Sequence, residues 1–307
     1  MHHWILLCLM LTAPLVSHAG RIDTSYAVSI GGIRQWISIR ATERANPILL
    51  YLHGGPGNSS MRYANRFTNL LQKHFTVVLW EQRDCGKTWE MNHSLEPLTL
   101  KQAENDALEL MNYLCTRFKR DKIFIVGHSW GGFIALRLAG LNPDRLQACV
   151  AASPMVNQLE SERISLDTMM AITKRARNNQ AQQELGKVRI PFESADQLYY
   201  HRKWAYVLSG GRSFTREFVL KWSEHWLPLF LEGSAVNLEK ELPEIRCPVY
   251  FFVGKKDLST NPAVTVRYYK ALRAQKKDLI WFTNSGHSLN LTEAGKFQQS
   301  IIALLNQ

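Results

Sequence analysis

One serine lies in a setting that could make it a nucleophile. Residues 123–132 read Ile-Phe-Ile-Val-Gly-His-Ser-Trp-Gly-Gly, so an apolar, mostly β-branched run leads directly into Gly-x-Ser-x-Gly. Glycines two positions before and after the serine relieve crowding in a tight strand–turn–helix connection. Such a turn lifts the Ser129 hydroxyl clear of the backbone and places the Trp130 N–H beside it. The motif therefore predicts nucleophilic chemistry at Ser129.

Two polar residues late in the chain could activate this serine. A serine hydroxyl needs a base to take its proton, and the base needs an acid to orient it. The strand-like run 248–253 is followed by Gly-Lys-Lys and Asp257, and the run 279–283 by Asn-Ser-Gly and His287. Serine, acid and histidine in this chain order are typical of one class of hydrolytic triad. We predict a triad of Ser129, Asp257 and His287, and we expect His53 and His128 to have structural roles.

A glycine-rich turn could stabilise the charge that this chemistry creates. The run His-Gly-Gly-Pro-Gly at 53–57 follows an apolar, strand-like segment at 48–52. Attack on a carbonyl forms an oxyanion, and the loss of one backbone N–H donor to it can cost on the order of 3 kcal/mol. We expect the amides of Trp130 and Gly55 to be the donors, with Gly54 as the alternative to Gly55.

Alternating strands and helices must position these residues. This rhythm predicts an α/β fold, with a mostly parallel sheet covered by helices on both faces, formed by residues 20–154 and 244–307. The rhythm stops at 155–243, a segment rich in charged and aromatic residues, which we interpret as an inserted helical cap that shapes the substrate pocket. Strands are predicted at 26–30, 33–39, 48–52, 75–80, 123–128, 146–152, 248–253 and 279–283, and helices at 59–74, 98–118, 130–141, 262–275 and 292–305.

The N-terminus and the charge indicate where the protein acts. An apolar run at 4–16 followed by Ser-His-Ala predicts a signal peptide at 1–19 that is cleaved after Ala19; the alternative is an uncleaved membrane anchor. After cleavage we expect no stable membrane insertion and a periplasmic or secreted protein. The net charge of the 307 residues is +11, but basic tracts are short, so we expect a solvated basic surface and no nucleic-acid partner.

The cysteines do not indicate a cofactor. Cleavage of the signal peptide would remove Cys8. The four cysteines that remain are Cys85, Cys115, Cys149 and Cys247. An even number in an exported protein permits disulfides, although the apolar surroundings favour buried free thiols. No Cys-x-x-Cys or histidine-rich spacing occurs, so we predict no metal and no cofactor.

These motifs together resemble the α/β-hydrolase fold and, within it, the proline iminopeptidase-like branch. The matching runs are 53–57, Glu-Gln-Arg-Asp-Cys-Gly-Lys-Thr at 81–88, 127–132, and the loops that hold Asp257 and His287. The resemblance covers about 45–154 and 244–307. It departs at Glu81, where the family usually has Asp, and at Asp84, where the family has Gly.

The resemblance implies a serine hydrolase that cleaves a small peptide or ester. Members of this family are often cytoplasmic, so export is an expectation from the predicted signal peptide at 1–19 alone. Our first expectation is a proline iminopeptidase-like aminopeptidase; the alternatives are a carboxylesterase of the same fold and a non-catalytic binding protein on a hydrolase scaffold. Peptidases of this family hold the free amino group of the substrate with glutamates of the cap. By that resemblance, Glu217, Glu224 and Glu232 are the candidates for substrate binding here.

Overall fold

An eight-stranded sheet is the framework of the protein, which the computed structural model describes over residues 20–92 and 97–306. The first strand pairs antiparallel with the second, and the second with the fourth; the remaining pairs in the sheet are parallel. The strands are β1 (Ile22–Ile30), β2 (Ile33–Ala41), β3 (Ile48–Leu52), β4 (Thr76–Glu81), β5 (Ile123–His128), β6 (Leu146–Ala152), β7 (Glu244–Ile245), β8 (Val249–Gly254), β9 (Arg273–Ala274) and β10 (Lys277–Phe282). The order in the sheet is β1-β2-β4-β3-β5-β6-β8-β10, while β7 and β9 form a separate pair.

Helices cover both faces of this sheet. Alternate side chains of β3 enter two different apolar clusters, since Leu50 packs on one face and Leu49 and Tyr51 on the other. This explains why β3, β4 and β8 are buried along their whole length and have apolar runs instead of alternation. The predicted fold class is therefore confirmed.

The helices differ from the sequence prediction mainly near the start of the chain. Instead of one helix over 59–74, the structure has a four-residue helix and a short 3₁₀ turn at Leu71–Lys73. The Ser59 hydroxyl accepts the Met61 N–H and donates to Glu81, and such local bonds compete with helix formation. The helices are α1 (Asn65–Thr68), α2 (Gly86–Met91), α3 (Leu100–Phe118), α4 (Trp130–Leu141), α5 (Gln158–Arg175), α6 (Asn179–Leu185), α7 (Ala195–Leu208), α8 (Arg216–Ala235), α9 (Leu238–Glu241), α10 (Pro262–Ala271), α11 (Leu289–Thr292) and α12 (Ala294–Ile302).

Five helices, α5 to α9, lie between β6 and β7, and we call them the cap helices. Four of them begin at an asparagine or serine whose side chain accepts a backbone N–H of the first turn, and α8 begins at Thr215 in the same way. The exact division into core and cap at 154/155 and 243/244 stays a prediction.

Two sequence predictions concern the N-terminal segment and the cysteines. The predicted signal peptide, 1–19, lies outside the described residues. Within the described ranges, no helix has the length and apolarity to cross a bilayer. Cys85, Cys115, Cys149 and Cys247 are all buried and free, as the apolar surroundings predict.

Candidate active site

Ser129 lies in the sharp turn between β5 and α4. Its backbone has φ 56° and ψ −117°, a conformation that is strained for a residue with a side chain. A Cβ on Gly127 would lie 2.0 Å from the Gly131 carbonyl oxygen, and a Cβ on Gly131 would lie 2.2 Å from the Leu52 carbonyl oxygen. Only glycine fits at these two positions, so the two motif glycines allow the turn that presents Ser129.

Asp257 and His287 form a buried pair, with Asp257 Oδ2 2.9 Å from His287 Nδ1. The carboxylate of Asp257 also accepts the amides of Ser259 and Thr260 and the Thr260 hydroxyl, at 2.8–3.0 Å. Burial alone would raise the pKa of Asp257, but His287 and these donors hold it below its usual value. Asp257 is thus a carboxylate near neutral pH, and it leaves His287 Nε2 as the nitrogen that can accept a proton.

The two competing histidines hold loops in place. His128 Nε2 donates to the His287 carbonyl oxygen at 2.8 Å, while burial and the neighbouring His287 lower the pKa of His128 to about 4. His53 Nδ1 donates to the Gly54 carbonyl oxygen at 2.9 Å, and its Nε2 accepts the Gln82 N–H at 3.3 Å. Burial lowers the pKa of His53 to about 4 as well. Both rings are therefore neutral near pH 7.

The glycine turn at 53–57 lies against the serine. A Cβ on Gly54 would be 3.3 Å from the Ser129 Cβ, so the backbone approaches the nucleophile closely. Among residues 20–92 and 97–306, no acceptor is seen for the amides of Gly54, Gly55 or Trp130. Unpaired N–H groups at this place are what an oxyanion site requires. Both Gly54 and Gly55 remain candidates beside Trp130.

The run at 81–84 ties the loops of the site together. The Gln82 side chain donates to the His53 carbonyl oxygen and accepts the Trp130 indole N–H, both at 3.2 Å. Asp84, where the resemblance expects glycine, has φ 57° and lies 3.0 Å from His225 Nε2 on α8. The contact between Asp84 and His225 therefore joins the core to a cap helix.

A cavity of about 550 Å³ lies between the core and the cap helices. Ser129, His128 and His287 line one part of it, and Arg202 and Arg212 are the arginines among the described residues along its wall. No aspartate or glutamate among the described residues lines it. Its apolar and aromatic lining comprises Tyr63, Met155, Leu198, Tyr206, Phe214, Phe218, Val219, Trp222, Phe230 and Leu291.

The candidate glutamates of the cap lie elsewhere. Glu217, Glu224 and Glu232 are exposed, and none of them lines the cavity. Glu232 accepts the Leu100 N–H at 2.9 Å, where α8 meets the first residue of α3. The structure therefore does not bring these glutamates to Ser129. Sequence reasoning missed Arg202 and Arg212, because nothing in their spacing separates them from the solvated charges of the same segment.

Comparison with known proteins identifies the family. The sequence model of the alpha/beta hydrolase family matches residues 49–297. The chain belongs to the alpha/beta hydrolase family. This confirms the resemblance and shows that the protein is a hydrolase enzyme.

Several relatives of this hydrolase are peptidases by name. It is 26% identical over 298 residues to the probable aminopeptidase YbaC of Bacillus subtilis (strain 168), covering 89% of this chain and 93% of the relative. It is 23% identical to the proline iminopeptidase of Heyndrickxia coagulans, covering 84% and 90%. The structure of the Mycobacterium smegmatis proline iminopeptidase superposes with a TM-score of 0.64 at 17% identity, covering 92% of this chain and 98% of the other. At that identity the superposition shows the fold alone.

Proposed function

We propose that this hydrolase cleaves a small amide or ester with Ser129 as nucleophile, His287 as general base and Asp257 as the acid that orients it. The observation that carries the proposal is the 2.9 Å contact between His287 and Asp257, next to a cavity that Ser129 and His287 both line. An orienting carboxylate fixes the histidine tautomer and stabilises the imidazolium that forms during attack.

The proposed reaction has two halves. Ser129 Oγ attacks the carbonyl carbon while His287 Nε2 takes its proton, and the amide of Trp130, with that of Gly55 or Gly54, binds the oxyanion. His287 then donates the proton to the leaving amine or alcohol, which departs and leaves Ser129 acylated. Water activated by His287 releases the acid and restores the free serine.

The names of the relatives favour an aminopeptidase that releases an N-terminal proline or another small residue. Such a substrate has a positively charged amino group beside the scissile bond. That group must lose water when it enters the cavity, and this costs free energy unless an anion or good acceptors replace the water.

The cavity lining favours the second candidate, a hydrolase of acyl groups without a free amine, such as a carboxylesterase. No carboxylate of the described residues lines the cavity, and two arginines do. An ammonium group would meet the like charge of Arg212 there, since Arg202 is paired with Glu162, whereas a neutral acyl group would contact aromatic side chains. The export of the enzyme, argued from residues 1–19, belongs to the same proposal.

A matched pair of substrates separates the two candidates. Proline 4-nitroanilide has a free imino group, and N-acetylproline 4-nitroanilide differs in having it blocked. We expect a higher kcat/KM for the blocked substrate, and we expect hydrolysis of 4-nitrophenyl butyrate as well. A higher kcat/KM for the free substrate would identify the aminopeptidase instead, and Ser129→Ala is the control for background hydrolysis.

A further inference from the structure

Two arginines on the cap side of the cavity distinguish it from an amine-binding site. Arg202 lies on α7, and Arg212 lies in the connection between α7 and α8. We propose that the cavity selects a substrate that carries a carboxylate besides the scissile ester or amide, and that Arg212 binds this carboxylate. The inference rests on the proposed function, because it concerns the substrate class of the same site.

Arg202 is neutralised by its own partner. Its Nη1 and Nη2 donate to the two oxygens of Glu162 at 2.8 and 2.5 Å, and Nη1 also donates to His201 Nδ1 at 2.9 Å. Burial alone would raise the pKa of Glu162, yet Arg202 and the other donors hold it below its usual value. Burial lowers the pKa of His201 to about 4, so that ring adds no charge near pH 7. Arg202 can therefore offer its remaining N–H groups to a ligand as hydrogen-bond donors. The Arg202–Glu162 pair adds no net charge to the wall of the cavity.

Arg212 has no such partner. Among the described residues, no hydrogen bond or ion pair is seen for its side chain, which is exposed and lines the cavity. Its connection is held beside the cavity by ring contacts. Phe214 stacks on Phe218 with the centroids 5.2 Å apart, and it meets Tyr206 edge-on, also at 5.2 Å. A guanidinium at the rim of a largely aromatic cavity attracts an anion into it and disfavours a cation.

The ligand that fits this arrangement is a carboxylate. A guanidinium presents its N–H groups in a planar fork that matches the two oxygens of a carboxylate. The remaining N–H groups of Arg202 lie on the same wall, and no carboxylate among the described lining residues accepts a hydrogen bond from them. A dicarboxylic monoester, or an N-acylated amino acid with a free carboxylate, has the required groups.

The test uses pairs of esters that differ only in charge. Mono-4-nitrophenyl glutarate and its terminal amide place the charge on the acyl side, while 4-acetoxybenzoate and 4-acetoxybenzamide place it on the leaving group. The wild-type enzyme is expected to have the lower KM for the anionic member of at least one pair. In Arg212→Gln this KM rises about tenfold, the effect of losing one charge-assisted bond, and the neutral member changes less than about twofold.

Two further variants serve as controls. Arg212→Lys keeps the charge and should recover part of the preference. Arg175→Gln removes an exposed cap arginine that does not line the cavity, so it should leave every KM unchanged.

Binding of glutarate to Ser129→Ala, measured by calorimetry, reports on the carboxylate site without any turnover, and it should be lost when Arg212→Gln is added.

The outcomes separate this inference from the proposed function. Equal KM values within both pairs, or a preference for the anion that survives in Arg212→Gln, would overturn the inference while ester hydrolysis by Ser129 still supports the function. Hydrolysis that persists in Ser129→Ala would overturn the function, and glutarate binding that depends on Arg212 would still support a carboxylate site.

Discussion

Asp257 is the most firmly held of the three proposed catalytic side chains. Its two carboxylate oxygens accept two amides, one hydroxyl and the His287 ring N–H. With so many donors the carboxylate has little freedom to rotate, and it fixes the plane and tautomer of His287. The imidazole is held from its backbone side as well, because His128 donates to the His287 carbonyl oxygen.

His128 also predicts a pH dependence of stability. Its pKa in the folded protein is about 4, below the ordinary value of 6.5, because burial disfavours the charged ring. Between these pH values the unfolded chain binds a proton that the folded chain does not, so stability falls as the pH falls, by up to about 1.4 kcal/mol per pH unit. In His128→Asn this contribution disappears, and the loss of stability between pH 7 and pH 4.5 becomes smaller.

Urea unfolding at the two pH values measures this difference. His74→Asn is the matched control, because His74 is exposed and its replacement should leave the dependence as in the wild type. Equal losses of unfolding free energy in the wild type and in His128→Asn would show that His128 is not a buried neutral ring.

The sequence predicted the positions of Ser129, Asp257 and His287 because strand ends are visible as apolar runs followed by polar loop residues. It did not predict Thr260, whose amide and hydroxyl hold Asp257. A threonine three residues beyond an acid has no distinctive spacing, and only the fold of the loop turns its donors inward.

At the scale of elements, the turn from β5 into α4 passes very close to the end of β3. Gly131 belongs to the first turn of α4, and a Cβ there would lie 2.2 Å from the Leu52 carbonyl oxygen and 2.7 Å from that of His53. Both contacts are with backbone, which cannot move aside as a flexible side chain can.

Gly131→Ala should therefore destabilise the protein by at least about 1–3 kcal/mol, as overpacking does, and should lower kcat by displacing the glycine turn. Gly295→Ala is the matched control, since Gly295 is also in the first turn of a helix, α12, and a Cβ there meets nothing within 4 Å. It should be neutral or stabilising by about 0.4–1 kcal/mol. Thermal and urea unfolding check both values, and an equal effect of the two substitutions would contradict the close approach.

Helix α8 links the cap helices to the glycine turn. The Trp222 indole N–H donates to the Pro56 carbonyl oxygen at 2.8 Å, and a Cβ on Gly57 would lie 2.2 Å from the Trp226 ring. The aromatic residues of this segment indicated a pocket wall, but their contacts with 53–57 join parts of the chain far apart in sequence. Periodicity along one helix cannot reveal them.

At the scale of the whole molecule, the charge distribution matters more than the total. The formal net charge of +11 indicated only a basic surface. Arg202 and Arg212 both line the cavity, but Arg202 is paired with Glu162, whereas no ion pair is seen for Arg212 among the described residues. The sequence did not distinguish Arg202 from Arg212, because the pairing of Arg202 depends on helices α5 and α7, which meet only in the folded protein.

The central claim is that Ser129 is a nucleophile activated by His287 and Asp257. The most direct measurement is labelling of the folded protein with a fluorophosphonate, followed by mass spectrometry of the labelled peptide. We predict a single modification at Ser129 that is absent in Ser129→Ala and at least ~100-fold slower in Asp257→Asn, because general-base catalysis contributes about 10²–10⁴. No labelling of the folded wild-type protein, or labelling at another residue, would contradict the account.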